Sequence, residues 1–199
     1  MSRSRILVIA LTALLLALGL GLGVTPGCSR RDAGTDDGTP AVDTQIMAFL
    51  SEARALHHQA NLAEDADDLT AAANAMDRLV NAQRPHHPAR TPEVEEVLAD
   101  AYARLAELRL KKGELDPAAG AIKSGLEHVA EATYFRGHLV EVQGLIEEAR
   151  AARLADAGKR VEAKQARERA IQLLEEVVKI QDQVIQRSLA KDGGIEAAR

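Results

Sequence analysis

From Thr44 to Leu189, apolar residues recur three and four positions apart, and alanine carries much of their share. That spacing lays one apolar stripe along each of a series of amphipathic helices. Valine and isoleucine occur, but not in the alternating runs that a strand needs. Apolar residues make up 46% of the 199-residue chain, yet aromatics only 2%, and Trp is absent. A core with so few rings closes only if helix backbones approach one another closely. The expected fold class is therefore all-α.

Ile46, Phe49, Leu50, Ala53, Leu56 and Ala60 form the first stripe; Leu69, Ala72, Ala73, Met76, Leu79 and Val80 form the second. The segment RPHHPAR, residues 84–90, then breaks the pattern with its prolines. A third helix has the clearest boundaries. Thr91 is placed to cap it, Pro92 suits the first helical position, and Glu93 and Glu95 suit its positive end. Val94, Val97, Leu98, Ala101, Leu105 and Leu108 make its face, and Lys111, Lys112 and Gly113 its stop. Asp116 and Pro117 start a fourth helix, with Ile122, Leu126 and Val129 inward. The fifth is expected from about Phe135 to Ala157, ending at Gly158, and the sixth from about Val161 to Leu189. In the sixth, Ala163, Ala166, Ala170, Leu173, Val177, Ile180 and Val184 step as in a coiled-coil seam, a face expected to be buried within the chain. Residues 190–199, with Gly193 and Gly194, are expected to fray.

The N-terminus has a different character. Arg3 and Arg5 precede a charge-free, Leu-rich stretch from Ile6 to Val24. A positive start and an apolar run are the parts of a secretory signal; the run is also long enough to span a bilayer if retained. Gly19, Gly21 and Gly23 weaken its last turns, and Pro26 and Gly27 break the chain just before Cys28, the only cysteine. A lone cysteine forms no internal disulfide. Gly27 followed by Cys28 resembles the bacterial lipoprotein signal, in which a small residue precedes a cysteine that receives diacylglycerol; Thr25 and Pro26 depart from the commoner residues there. The resemblance implies cleavage after Gly27 and a covalent lipid on Cys28. Ser29 in the next position implies sorting to the outer membrane, facing the periplasm. Residues 28–43 then read as the lipidated cysteine and a flexible polar tether, with Arg30 and Arg31 near the headgroups.

The helices pair as three hairpins. The middle one, YARLAELRLKKGELDPAAGAIKSGL, resembles a tetratricopeptide repeat. Tyr102, Leu105 and Ala106 match the large residue and the Leu-small pair of that family's first helix, Gly113 its turn, and Ala118, Ile122 and Gly125 its second helix. Arg109 stands where an aromatic is usual, and no proline closes the unit. Ala72, Met76 and Leu79, and then Ala170, Leu174 and Val177, echo the second-helix pattern more weakly, at spacings longer than the family period of about 34. The resemblance implies stacked antiparallel hairpins in a right-handed solenoid over residues 44–189; an up-and-down bundle fits the same stripes.

Little in the chain suggests chemistry. His57 and His58 are adjacent on a helix and diverge by about 100°, and His86 and His87 fall on the loop between hairpins. No metal is expected. No phosphate loop, nucleophile elbow or zinc-protease motif occurs, so an enzyme is not expected and no cofactor beyond the lipid. The carboxylates opposite the stripes, including Glu147 and Glu148 near Arg150 and Arg153, read as solvated surface pairs. Net charge is −5 at pH 7, and loss of the leader removes two further positive charges, so nucleic acid is not an expected partner. One local cluster stands out: Tyr134, Phe135, Arg136 and His138 gather half of the aromatics beside an arginine and a histidine. It is either a plug between the second and third hairpins or an anchor for a partner. The leading expectation is a membrane-anchored binding module, monomeric, that holds a protein or peptide as a scaffold or assembly factor. The alternative is a spacer that multimerises through the last helix.

Overall fold

The computed structural model describes residues 43–86 and 90–196, with side chains through Ala190. The leader, Cys28, most of the tether, His87 and the last three residues lie outside the described residues. The described chain is all-helical. Its elements are α1 (Thr44–Asp65), α2 (Leu69–Val80), α3 (Pro92–Lys111), α4 (Leu115–Leu126), α5 (Tyr134–Asp156) and α6 (Arg160–Glu196). No strand occurs among the described residues.

Local chemistry sets the helix ends. The Asp43 carboxylate accepts from the amides of Gln45 at 2.8 Å and Ile46 at 3.3 Å, satisfying donors that the first turn of α1 leaves unpaired. The Asp68 side chain does the same for Ala71 at the start of α2, and Thr133 for Arg136 at the start of α5. Thr91 takes the cap position of α3, but its hydroxyl makes no capping bond, so the start of α3 rests on Pro92 and the acidic first turn. The turn between α1 and α2 has no glycine; Asp67 takes the left-handed conformation there, at φ +58°, which aspartate tolerates better than most residues. Gly113 and Gly158 supply the left-handed residue after α3 and α5, at φ +76° and +74°.

Helices meet in series. α1 packs on α2, α3 on α4, and α5 on α6; α3 also touches both helices of the first hairpin, and α5 both helices of the second. Among the described residues the first hairpin makes no contact with the third. α3 is therefore surrounded, and Leu98, Ala99, Ala101, Ala103, Leu105, Ala106 and Leu108 are all buried on it. A single stripe accounts for part of that set; Ala99 and Ala103 face a second neighbour.

Small residues permit the closest contacts. Gly125 lies where α3, α4 and α5 converge: a Cβ there would sit 2.6 Å from Leu139 Cδ2 and 2.9 Å from Tyr102 Cβ. Gly137 and Gly144 face α6 from α5, and Ala163, Ala166, Ala170 and Ile180 are buried on α6. The seam of the sixth helix thus packs inside the chain, with Leu173, Val177 and Val184 half-buried. α6 continues through Gly193 and Gly194 to Glu196, beyond the expected end at Leu189. Each glycine costs a helix about 1 kcal/mol relative to alanine, which weakens it without terminating it. Leu174, read as an echo of the repeat pattern, is instead exposed.

Candidate functional site

The cluster at the start of α5 divides three ways. Phe135 packs against the core, and Arg136 donates to the Val129 carbonyl at 3.2 Å, closing the loop before its own helix. Tyr134 is 60% exposed, with its ring edge-on to Phe135. His138 turns inward to α3, where Nε2 lies 3.1 Å from Glu107 Oε1. Its Nδ1 is buried without a hydrogen-bond partner; Asp100 Oδ1, 3.8 Å away, is a charge contact rather than a bond. Of the four residues, Tyr134 alone is exposed.

His138 belongs to a ring of charges that crosses three helices. Asp100 Oδ2 lies 3.8 Å from His57 Nε2 on α1. Glu107 Oε2 accepts from Arg104 Nη1 at 3.2 Å. Arg104 pairs with Glu64 on α1 and approaches Asn61 Oδ1 at 3.5 Å, and Glu64 Oε1 accepts from Lys111 Nζ at 2.6 Å. Lys111, Glu64, Arg104, Glu107, His138 and Asp100 therefore alternate in sign from α1 through α3 to α5, with His57 completing the circuit.

The two histidines on Asp100 behave oppositely. Asp100 and then Glu107 raise His138 to about 9 against the opposing effect of burial, so it is a cation at neutral pH. Burial lowers His57, with Arg104 adding to the effect and Asp100 opposing it, so His57 stays neutral. Asp100 is held below the usual carboxylate range, chiefly by His138. Glu107 and Glu64 are also lowered: burial pushes both upward, but His138 and Arg104 outweigh it for Glu107, and Lys111 and Arg104 for Glu64. With His57 neutral, cations and anions in the ring balance.

The residues matched to the repeat pattern occupy the middle of the fold. Leu105, Ala106, Ala118, Ile122 and Gly125 are buried, and Tyr102 is half-buried, stacked on His128 at a centroid distance of 5.5 Å. Gly113 forms the turn, and its carbonyl accepts from Arg153 of α5. Arg109, in the place of an aromatic, reaches Asp77 Oδ1 of α2 at 2.8 Å and the Pro117 carbonyl at 3.2 Å, so a charged staple joins the first two hairpins.

Other charges read as solvated are also structural. Glu147 is buried and held by Arg150 and by Arg169 of α6, the latter at 2.7 Å, while Arg153 serves Gly113 rather than Glu148. The ring could have been sought in the sequence. Asp100, Arg104, Glu107 and Lys111 repeat at four, three and four along α3, as His57, Asn61 and Glu64 do at four and three along α1. An amphipathic pattern alone reads such an arc as facing water, because it carries no information about the neighbouring helix.

His86 returns to the start of α1, its amide donating to Gln45 Oε1 at 2.8 Å, which places the inter-hairpin loop beside Thr44. Among the described residues no group of three histidine, cysteine or acidic side chains could hold a metal ion, and no helix is long and apolar enough to cross a membrane. In comparisons with known proteins, the chain matched no family model, no curated protein and no solved structure.

Proposed function

We propose that this chain is a lipoprotein of the bacterial envelope, anchored by a lipid on Cys28 to the outer membrane and facing the periplasm. Its tetratricopeptide-like hairpins hold a protein or peptide partner as a scaffold or assembly factor. The observation that carries this reading is the polar face across α1, α3 and α5, where the first helices of successive hairpins lie side by side and share one ring of charges. Contacts confined to neighbouring hairpins support a solenoid over a closed bundle, and repeat stacks of that kind leave a long face free for binding. Burial of Ala163, Ala166, Ala170 and Ile180 speaks against that seam of α6 as the surface the spacer alternative would use to multimerise.

Two experiments address the two halves of this reading. Cys28→Ala is expected to leave the precursor uncleaved and unlabelled by fatty acid; equal labelling of that variant would end the lipoprotein assignment. Affinity capture of the lipidated chain from membranes, read by mass spectrometry, is expected to yield a partner. That partner is lost from a folded variant carrying Asn61→Arg and Lys111→Glu on the polar face. Unchanged capture would move binding away from that face.

A further inference from the structure

α6 carries a second apolar stripe that α5 does not cover. Ile171, Leu174, Val178, Ile185 and Leu189 are all exposed, Val178 at 61%, and they recur at three, four, seven and four. This stripe adjoins the seam on one side only. Gln143 and Glu147 of α5 line a groove with Leu173 and Glu176 on the other flank of the helix pair. Leu174 lies over Gly144, 3.2 Å from where a Cβ would stand, and exposed Leu145 follows Gly144 on α5. Ile171, Leu174 and Val178 make an apolar strip along α6 beside Gly144 of α5.

Acidic residues rim this strip. Glu141 and Glu148 of α5 flank it on one side, and Glu175 and Asp182 bracket Val178 on the open side of α6. All are exposed, and none forms an ion pair among the described residues. Lys164 pairs with Glu168 at 3.7 Å and Arg167 precedes Ile171 at the N-terminal end, and the exposed Lys179 stands between Glu175 and Asp182, offsetting one of those two acids.

We infer that the strip is a docking surface for an amphipathic helix of a partner protein, with its apolar face on Ile171, Leu174 and Val178 and a lysine- or arginine-bearing flank against the acidic rims. This deepens the binding-module reading and rests on it for its purpose. Charge complementarity selects this occupant. A second copy packed antiparallel on the stripe would bring the Glu175 and Asp182 flank against its own, with Lys179 offsetting only one of the two acids on each side, so two net-negative flanks would meet. An anionic bilayer meets the same repulsion.

The test uses the full-length chain and two synthetic peptides of about 18 residues, long enough as helices to span about 27 Å, from Ile171 to Leu189. Both carry one leucine stripe, flanked by lysines in one peptide and by glutamates in its twin. In fluorescence anisotropy the lysine peptide is expected to bind at least about tenfold more tightly. Val178→Asp abolishes that binding. Glu175→Lys with Asp182→Lys reverses the preference, while Glu52→Lys with Glu93→Lys, which lie elsewhere, leaves it in place. Equal binding of the twins, or a preference that survives the Glu175 and Asp182 reversal, overturns the proposal. So does sedimentation of a dimer that Val178→Asp dissolves, which assigns the strip to a second copy. Loss of the strip alone leaves capture through Asn61 and Lys111 intact, so the two failures are distinguishable.

Discussion

α3 and α6 are built from similar material, yet one is engulfed and the other half bare. Among the described helices α3 meets α1, α2, α4 and α5, while α6 meets α5 alone. Leu98, Leu105 and Leu108 are fully buried on α3; Ile171, Leu174 and Val178 on α6 are exposed. A periodic stripe orients a helix but does not say how many neighbours it will have. The number of packed neighbours decides what is covered: among the described residues α6 has α5 alone, so its second stripe stays bare.

The sharpest way to break this comparison is to delete the same kind of bulk from both helices. Leu105→Ala is expected to cost about 2–5 kcal/mol, because the surrounded site cannot collapse. Val178→Ala is expected to stay within about 0.5 kcal/mol. At roughly 2–4 °C per kcal/mol for a chain of this size, thermal melts separate the two. Equal shifts would mean that α6 is covered after all.

Glycine positions sharpen the contrast. At Gly125 an added Cβ meets the Tyr102 Cβ, which cannot swing aside, so Gly125→Ala is expected to cost about 1–3 kcal/mol in denaturant unfolding. At Gly144 the obstacle is the exposed Leu174 side chain, which has room to turn outward. Relief of the helical glycine penalty, about 1 kcal/mol, offsets that contact, so Gly144→Ala is expected near neutrality. A large loss there would show that Leu174 is pinned.

A pH series separates the charge ring from the apolar packing. His138 is raised from 6.5 to about 9, so its contribution is complete below 6.5 and is lost as pH rises through 9. His57 is lowered, so its contribution is present above 6.5 and lost as pH falls through its folded value. Asp100 and Glu107 add losses at still lower pH. Melting temperature is therefore expected to decline on both sides of neutrality. His138→Gln should flatten the alkaline limb between 6.5 and 9 and leave the His57-dependent acid limb; an alkaline limb unchanged in that variant would remove the ring from the stability of the fold.

Much of the architecture is legible in the residues themselves. The stripes from Ile46 onward, Pro92 at the start of α3, and Gly113 and Gly158 at the turns all carry local signals that act within a few residues. What escapes is long-range. The pairing of Glu64 with Arg104, and of His57 and His138 with Asp100, depends on which helices become neighbours. The same charges on an isolated helix face water. Glu147 escapes for that reason, since its burial depends on Arg169 from the next helix. Leu174 errs in the opposite direction: its spacing fits a core position, but among the described residues no further helix covers it.

Hydrogen–deuterium exchange of the full-length chain tests the serial stack most directly, because local stability in such an array follows the number of neighbours. The strongest protection is expected in α3, lower protection in α1, and the fastest helical exchange in α6 beyond Val184. Uniform protection from α1 through the end of α6 would contradict a stack in series and indicate a bundle closed on itself.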